Sequence, residues 1–311
     1  MSSFSWPRTA HVMHLPELDR IAIAGATGLI GLELQSILRS RGVRQDAIET
    51  SGTIEACELA FLAVPSAAAA ALAETFIGHG ATVIDLSAAS RERDDVPLVV
   101  PSINGHLLDT HPKLIANPNC TATILSIAIA PLRTIGINSI HVSTYQAISG
   151  AGQAALAELD GDQSSTTPIL GEPLQNNVFR HESAVDPTTG RTGEEQKLIR
   201  ESRKLLDLPD IPIAATCMRV PVRMAHLESI TIELDHASSR DDVTELLACD
   251  PCIAVLESEC PSSRKAEGLD NVLVGHIRMN TPTSVSLVAA GDQLRIGAAL
   301  NAIRIAECLP H

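Results

Sequence analysis

Aromatic residues are nearly absent. One Trp, one Tyr and four Phe make up 2% of 311 residues, and Phe4 and Trp6 fall in the first few positions. The core must therefore be built from Ala, Ile, Leu and Val, which the 45% hydrophobic content supplies. No apolar run is long enough to span a bilayer, so a membrane protein is not expected. Positive charge is scarce: 23 Lys and Arg against 37 Asp and Glu leave a net charge of −14. That balance argues against nucleic acid and anionic membrane surfaces as partners, and an anionic ligand would need locally placed arginines. A disulfide framework is also missing. Seven cysteines, odd in number and scattered, fit a reducing, cytoplasmic setting. Cys249 and Cys252, with Cys260 nearby, have metal-like spacing but no second pair, so no metal site is expected. Residues 1–19 lack the basic-then-apolar order of a secretory signal. They read as a leader with little ordered structure.

The length favours two domains. Ile21-Ala22-Ile23-Ala24 runs into Gly25-Ala26-Thr27-Gly28-Leu29-Ile30-Gly31, and a helix carrying Leu32, Leu34, Ile37 and Leu38 follows. Strand, glycine-rich turn and helix are the context of a dinucleotide site. The glycines let backbone N–H groups approach a pyrophosphate, and the helix N-terminus complements its charge. The competing reading is a tight turn that packs helix on strand. Strands over 59–64 and 81–86 flank an alanine-rich helix over 66–77, which implies a doubly wound parallel sheet. Ligands of such sheets sit at the carboxyl ends of the strands, and Arg91 lies just past one. Short strands are expected at 98–101 and 114–116. From residue 140 the pattern changes to longer strands at 140–147, 214–220, 228–234, 271–279 and 285–290, with alternation at 140–147 and 228–234. Helices are expected at 194–206, 241–248 and 297–309, and residues 161–193 read as loop. The expected fold class is α/β: a Rossmann-like domain of residues 20–118 plus 291–311, and an α+β catalytic and dimerisation domain of residues 119–290.

Asn117-Pro118-Asn119-Cys120-Thr121 combines turn chemistry with the start of an apolar helix. A thiol there faces the positive end of the helix dipole and unpaired N–H groups, which favour the thiolate. Asn119 is placed to donate to a developing oxyanion. Cys120 is thus a candidate nucleophile, against the alternative of a buried cysteine acting as a small hydrophobe.

Several motifs together resemble the aspartate-β-semialdehyde dehydrogenase family. They are Gly25-Ala26-Thr27-Gly28, Ala116 to Thr121, Ser143 to Gly152, Glu194-Glu195-Gln196-Lys197, Arg219-Val220-Pro221-Val222 with His226, Val274 to Arg278, and Gly297 to Ala302. The resemblance implies reductive dephosphorylation of L-aspartyl 4-phosphate by NADPH, in aspartate-family amino-acid biosynthesis, and a homodimer. It implies Cys120 as the acyl-accepting nucleophile, His226 as general acid–base, and Gln146 as the residue that orients the acyl group. Arg219 matches the clamp for the substrate carboxylate, Glu194 the acceptor of its amino group, and Lys197 and Arg91 the phosphate ligands. Gly25, Thr27, Gly28, Leu29, Ile30, Ser149, Gly150 and Gln293 match cofactor contacts. The chain departs from the family between Gly42 and Phe61, which is short where the adenosine ribose and 2′-phosphate are read. Arg44 and Ser51 are the residues there that could meet a phosphate. Ala63-Val64-Pro65-Ser66 replaces glycines, and Ile296 replaces a lysine. N-acetylglutamyl-phosphate reductase, faintly resembled by Asp85-Leu86-Ser87-Ala88, and a catalytically silent dimeric paralogue are the competing readings.

Overall fold

The computed structural model describes residues 13–50, 56–161 and 167–310. The chain divides into two compact units, with boundaries at Asn119/Cys120 and Ile296/Gly297.

In the first unit, apolar four-residue runs make a five-stranded parallel sheet. Its strands are β1 (Ile21–Ala24), β2 (Ile48–Glu49), β3 (Leu59–Leu62), β4 (Thr82–Asp85) and β5 (Leu114–Ala116), in the order β2-β1-β3-β4-β5. Every residue of the central β3 is buried, as an all-apolar strand covered on both faces requires. Helix α1 (Leu29–Ser40) connects β1 to β2, and α2 (Ser66–Gly78) connects β3 to β4. The small Ala69 and Ala73, with Phe76, pack α2 on the sheet. Two glycines of the first turn are demanded by packing. A Cβ at Gly25, where φ is +84°, would stand 2.2 Å from the Ala63 carbonyl oxygen, and one at Gly31 would stand 2.2 Å from the Gly25 oxygen.

The strand expected at 98–101 is absent. Leu98 makes a single bridge to Ala116, and Pro101 opens the short helix α3 (Pro101–Asn104). Proline has no N–H to continue a ladder but suits the first turn of a helix. Residues 13–19, assigned above to the leader, belong to the first unit: Leu15 and Leu18 are buried and the Met13 N–H donates to the Leu309 carbonyl at 2.7 Å.

The second unit opens with α4 (Cys120–Ile129), whose residues from Thr121 onward are all buried. A helix apolar on every side belongs inside a core. The unit is built on a seven-stranded mixed sheet: β6 (Ile137–Gln146), β7 (Phe179–Arg180), β8 (Ile213–Arg219), β9 (His226–Leu234), β10 (Ile253–Leu256), β11 (Val272–Thr281) and β12 (Ser284–Gly291), in the order β10-β11-β12-β9-β6-β8-β7. Helices α5 (Gln153–Leu159), α6 (Gly193–Leu206), α7 (Arg240–Ala248) and α8 (Ser263–Ala266) complete it, and α9 (Leu300–Glu307) returns the chain to the first unit. The doubly wound sheet and the α+β domain expected from the sequence are both present. Helix α4 packs on β11, β12 and α6, and a Cβ on Gly291 would stand 2.9 Å from Ile124. The side chains that share this face follow from the register. Gln146 pairs with Arg219, Thr144 with both Cys217 and Glu228, and Gly291 with His226.

Because backbone rather than side chain blocks the space at Gly31, Gly31→Ala must push α1 off the turn. Overpacking of this kind costs about 1–3 kcal/mol. The expected result is a melting temperature several degrees below wild type, measured by circular dichroism. A variant melting with the wild type would show that the turn yields freely.

Candidate functional site

Four strand or helix ends bring the second-unit residues together. Cys120 is the first residue of α4, Gln146 the last of β6, Arg219 the last of β8 and His226 the first of β9. Cys120 Sγ lies 3.4 Å from His226 Nε2, while the Ala147 N–H donates to His226 Nδ1 at 3.0 Å. That bond commits the Nδ1 lone pair, so a neutral ring carries its proton on Nε2 and directs it at sulfur. The imidazole is fully buried. Burial first, then the charges of Arg219 and His181, hold its pKa well below the usual histidine value, so the ring is neutral at pH 7.

The backbone before His226 is strained into place. Ala225 adopts φ +65°, a left-handed conformation uncommon for residues other than glycine. Its N–H donates to Gln293 Oε1 at 2.8 Å, and Gln293 Nε2 in turn donates to Ser149 Oγ. Both ends of the Gln293 amide therefore bridge Ser149 to the residue that aims His226. Gly150 lies against the same pair: a Cβ there would be 3.3 Å from Arg219 Nη1 and 3.3 Å from His226 Cε1. Gln146 is buried, and its Nε2 donates to Thr144 Oγ1 at 3.2 Å.

Glu194 and Lys197, one turn apart on α6, form an ion pair at 3.5 Å. Glu194 is buried, unlike a surface pair. The helix start is fixed by a capping box between Thr192 and Glu195, and Glu195 Oε1 also accepts the Cys217 N–H at 3.2 Å.

The remaining sequence-predicted residues belong to the first unit. Arg91 is buried, with Nε donating to the Asn117 carbonyl at 2.9 Å and Nη2 to the Leu86 carbonyl at 2.8 Å. It is thus anchored on the chain just past β4 and β5. Asn119 is buried, and upstream Asn117 Oδ1 accepts from Asn301 Nδ2 at 2.8 Å, which pins the turn that leads to Cys120. Gly28 caps α1 without any side-chain hydrogen bond. The first-turn N–H groups, including those of Leu29 and Ile30, are therefore not taken by a cap, and an anion such as a pyrophosphate fits them. Thr27 is exposed beside them. Arg44 stands before β2, 3.6 Å from Asp46 and 3.8 Å from Asp19. Ser51 lies outside the described residues. Of the cysteines with metal-like spacing, Cys252 is buried while Cys249 and Cys260 are exposed. Among the described residues no group of three His, Cys, Asp or Glu is placed to hold a metal ion, and no helix is long and apolar enough to cross a membrane.

Three site residues are not found by the motif reading. His181 and Glu182 follow β7, in a stretch read as loop. A two-residue strand leaves no periodic signal. Burial lowers the His181 pKa, opposed by the charge of Glu194 and reinforced by that of Arg219. For Glu182 burial alone would raise the pKa, but the hydrogen bonds and charge of Arg219 hold it down at about 2. The third is Glu228, two residues after His226 on the same face of β9. Both of its carboxyl oxygens are buried without a hydrogen-bond partner, and burial pushes its pKa well above the usual carboxylate range. A charged residue at an inward position of the alternating strand His226, Glu228, Ile230, Ile232 was a signal available in the sequence.

Two predictions follow from these environments. Burial raises the pKa of Cys57 and Cys217, whereas Cys120 opens a helix beside an Nε2–H donor. Iodoacetamide at neutral pH should therefore carboxymethylate Cys120 well before either of them, as read by peptide mass spectrometry, and His226→Ala should remove the advantage. Equal rates at the three thiols would dismiss an activated Cys120. The second concerns Glu228. Its proton is retained in the native state but released by the unfolded chain above about pH 4.3. The stability it contributes is thus complete below that pH and lost as pH rises toward the native pKa. Glu228→Gln should gain stability over wild type at pH 8 and little at pH 4, compared by thermal melts. A gain equal at both values would show Glu228 to be ionised in the fold.

The family model described as semialdehyde dehydrogenase, dimerisation domain, matches residues 129–296, and that described as semialdehyde dehydrogenase, NAD binding domain, matches residues 42–111. The aspartate-semialdehyde dehydrogenase of Synechocystis sp. is 34% identical over 95% of this chain and 98% of its own length. That of Bacillus subtilis is 32% identical over 93% of this chain and 97% of its own. The crystal structure of aspartate semialdehyde dehydrogenase II from Vibrio cholerae, solved also in complex with ASA, superposes with a TM-score of 0.87 at 28% identity. It covers 93% of this chain and 98% of that one.

Proposed function

From the premise that this chain belongs to the aspartate-semialdehyde dehydrogenase family, we propose that it catalyses the NADP-dependent reductive dephosphorylation of L-aspartyl 4-phosphate to L-aspartate 4-semialdehyde. The observation that carries the reading is the 3.4 Å approach of Cys120 Sγ to a buried, neutral His226. The relatives named above are aspartate-semialdehyde dehydrogenases, so the N-acetylglutamyl-phosphate reductase alternative is set aside.

The Cys120 thiolate attacks the acyl carbon, a C–S bond forms, the acyl C–O bond breaks and phosphate leaves with its electron pair. A dinucleotide held at Gly28, Leu29 and Ile30 supplies, when bound, the hydride that reduces the acyl group. The C–S bond then breaks and sulfur leaves as thiolate. No step requires His226 to lose its Nε2 proton. A neutral ring that donates to sulfur favours the thiolate as nucleophile and again as leaving group. Gln146 and Asn119 orient the acyl oxygen, Arg219 holds the α-carboxylate, Glu194 the α-ammonium, and Lys197 and Arg91 the phosphate. NADP rather than NAD rests on Arg44, the one cation in the shortened ribose segment among the described residues.

A homodimer is supported by the dimerisation-domain match and by the sheet face opposite α4. There His141, Tyr145, Thr216 and Ser229 are exposed in a single protomer, which leaves that face open to a second copy of the chain.

Phosphate-dependent reduction of NADP by aspartate semialdehyde, followed at the nicotinamide absorbance, tests the proposal. Wild type should turn over only with phosphate present, and Cys120→Ala should lose at least about a thousandfold in kcat, the scale of a missing nucleophile, while melting like wild type. Turnover by Cys120→Ala, or none by wild type, would refute the reading.

A further inference from the structure

The guanidinium assigned to the substrate is already held by a carboxylate. Arg219 is 3% exposed, and its planar fork meets Glu182 in the bidentate manner of a bound carboxylate. Nε donates to Glu182 Oε2 at 2.9 Å and Nη2 to Glu182 Oε1 at 2.8 Å. Nη2 also reaches His181 Nε2 at 2.9 Å, and Nη1 donates to the Ala147 carbonyl at 3.3 Å. An arginine has five N–H groups in fixed directions, so these bonds leave a single Nη1 N–H, on the nitrogen beside Gly150. A substrate carboxylate can use that N–H alone, or it can displace Glu182 and take the fork.

We propose that Glu182 is an internal competitor for Arg219, and that it sets the affinity of this site for a carboxylate-bearing substrate. The inference rests on the reading of Arg219 as the α-carboxylate clamp. Three features make displacement physically reasonable. The Glu182 side chain is 27% exposed, so it has solvent to swing into. It follows β7, a two-residue strand at the edge of the sheet, paired with β8. Its pKa of about 2 keeps it ionised throughout the working pH range, so protonation does not clear the fork and the substrate must. The competition then acts as a tax on affinity: the apparent dissociation constant is the intrinsic one divided by the fraction of molecules with an open fork.

Glu182→Gln keeps the shape and removes the charge that holds the fork. It should lower the KM for aspartate semialdehyde about tenfold, the effect of a fork open in roughly one wild-type molecule in ten, and leave the KM for phosphate within about twofold. A KM for the semialdehyde that is unchanged or raised would overturn the proposal, since a mere support for Arg219 would weaken binding when lost. A second measurement needs no turnover. Glu182→Ala leaves a buried cation without its carboxylate, so its melting temperature should fall, and sodium propionate at tens of millimolar should restore it where sodium chloride at equal ionic strength does not. Wild type should gain nothing from propionate. Equal effects of the two salts on Glu182→Ala would show that no carboxylate site opens when Glu182 is removed. Restoration by propionate together with an inactive wild-type enzyme would uphold the internal competition and reject the assigned reaction instead.

Discussion

The bond from the Ala147 N–H to His226 Nδ1 constrains the rest of the second unit's chemistry. A backbone donor cannot rotate away, so the ring is fixed in one tautomer and presents Nε2–H to Cys120. The fixed donor exists because β6 and β9 pair in a register that ends both strands at the same edge, with Ala147 just past one end and His226 at the start of the other. Ala225 supplies the turn of the chain, and the Gln293 amide holds Ala225 in a conformation that its side chain does not favour. Cys120 is located separately, by an apolar helix whose only way to satisfy its surface is to lie in the core against β11 and β12. The nucleophile and its donor thus meet through two independent packing constraints rather than through a loop.

The same edge of the sheet concentrates charge where water is scarce. Arg219, His181, Glu194 and Glu228 are all buried, with Glu182 at the solvent edge, and interactions at low effective dielectric are several times stronger than at the surface. Most of these groups are compensated by bonds to one another. The exception is Glu228, and a carboxyl with no partner avoids the cost of burying a charge by keeping its proton. The two imidazoles behave in parallel: burial and the Arg219 cation keep both neutral. Arg219 therefore has an effect beyond any ligand it holds: its field adds to burial in disfavouring an imidazolium at His226.

Much of this was legible in the sequence. Cys120 at a helix start, the glycine turn after β1 and the alternation of β6 and β9 were each expected from local pattern, because long periodic elements carry their own signal. The motif residues Cys120, Gln146, Arg219 and His226 do meet, though spacing alone does not bring a residue at 120 to one at 226. Only the sheet register does that. The strand expected at 98–101 does not form, because Pro101 has no N–H to extend a ladder and opens α3 instead. Glu182 was hidden for a different reason: its position depends on a two-residue strand that no window of sequence can resolve. Glu228 was visible as a charge on the inward face of β9, and its meaning needed the fact that no partner faces it.

These outcomes divide along a physical line. The groups placed for the covalent chemistry sit at the ends of long, central elements, where backbone register determines position and a single substitution cannot move it. Arg219, Glu194 and Lys197 likewise sit on β8 and α6, but two segments beside the proposed ligand groups lie on the shortest and most peripheral elements. β2, which follows Arg44, and β7, which leads to Glu182, each have two residues and each lies at the edge of its sheet. An edge strand of that length contributes few ladder bonds, so its sequence can change without loss of the core. Register thus fixes the approach of Cys120 to His226, while the surroundings of Arg219 depend in part on a short edge strand that can vary.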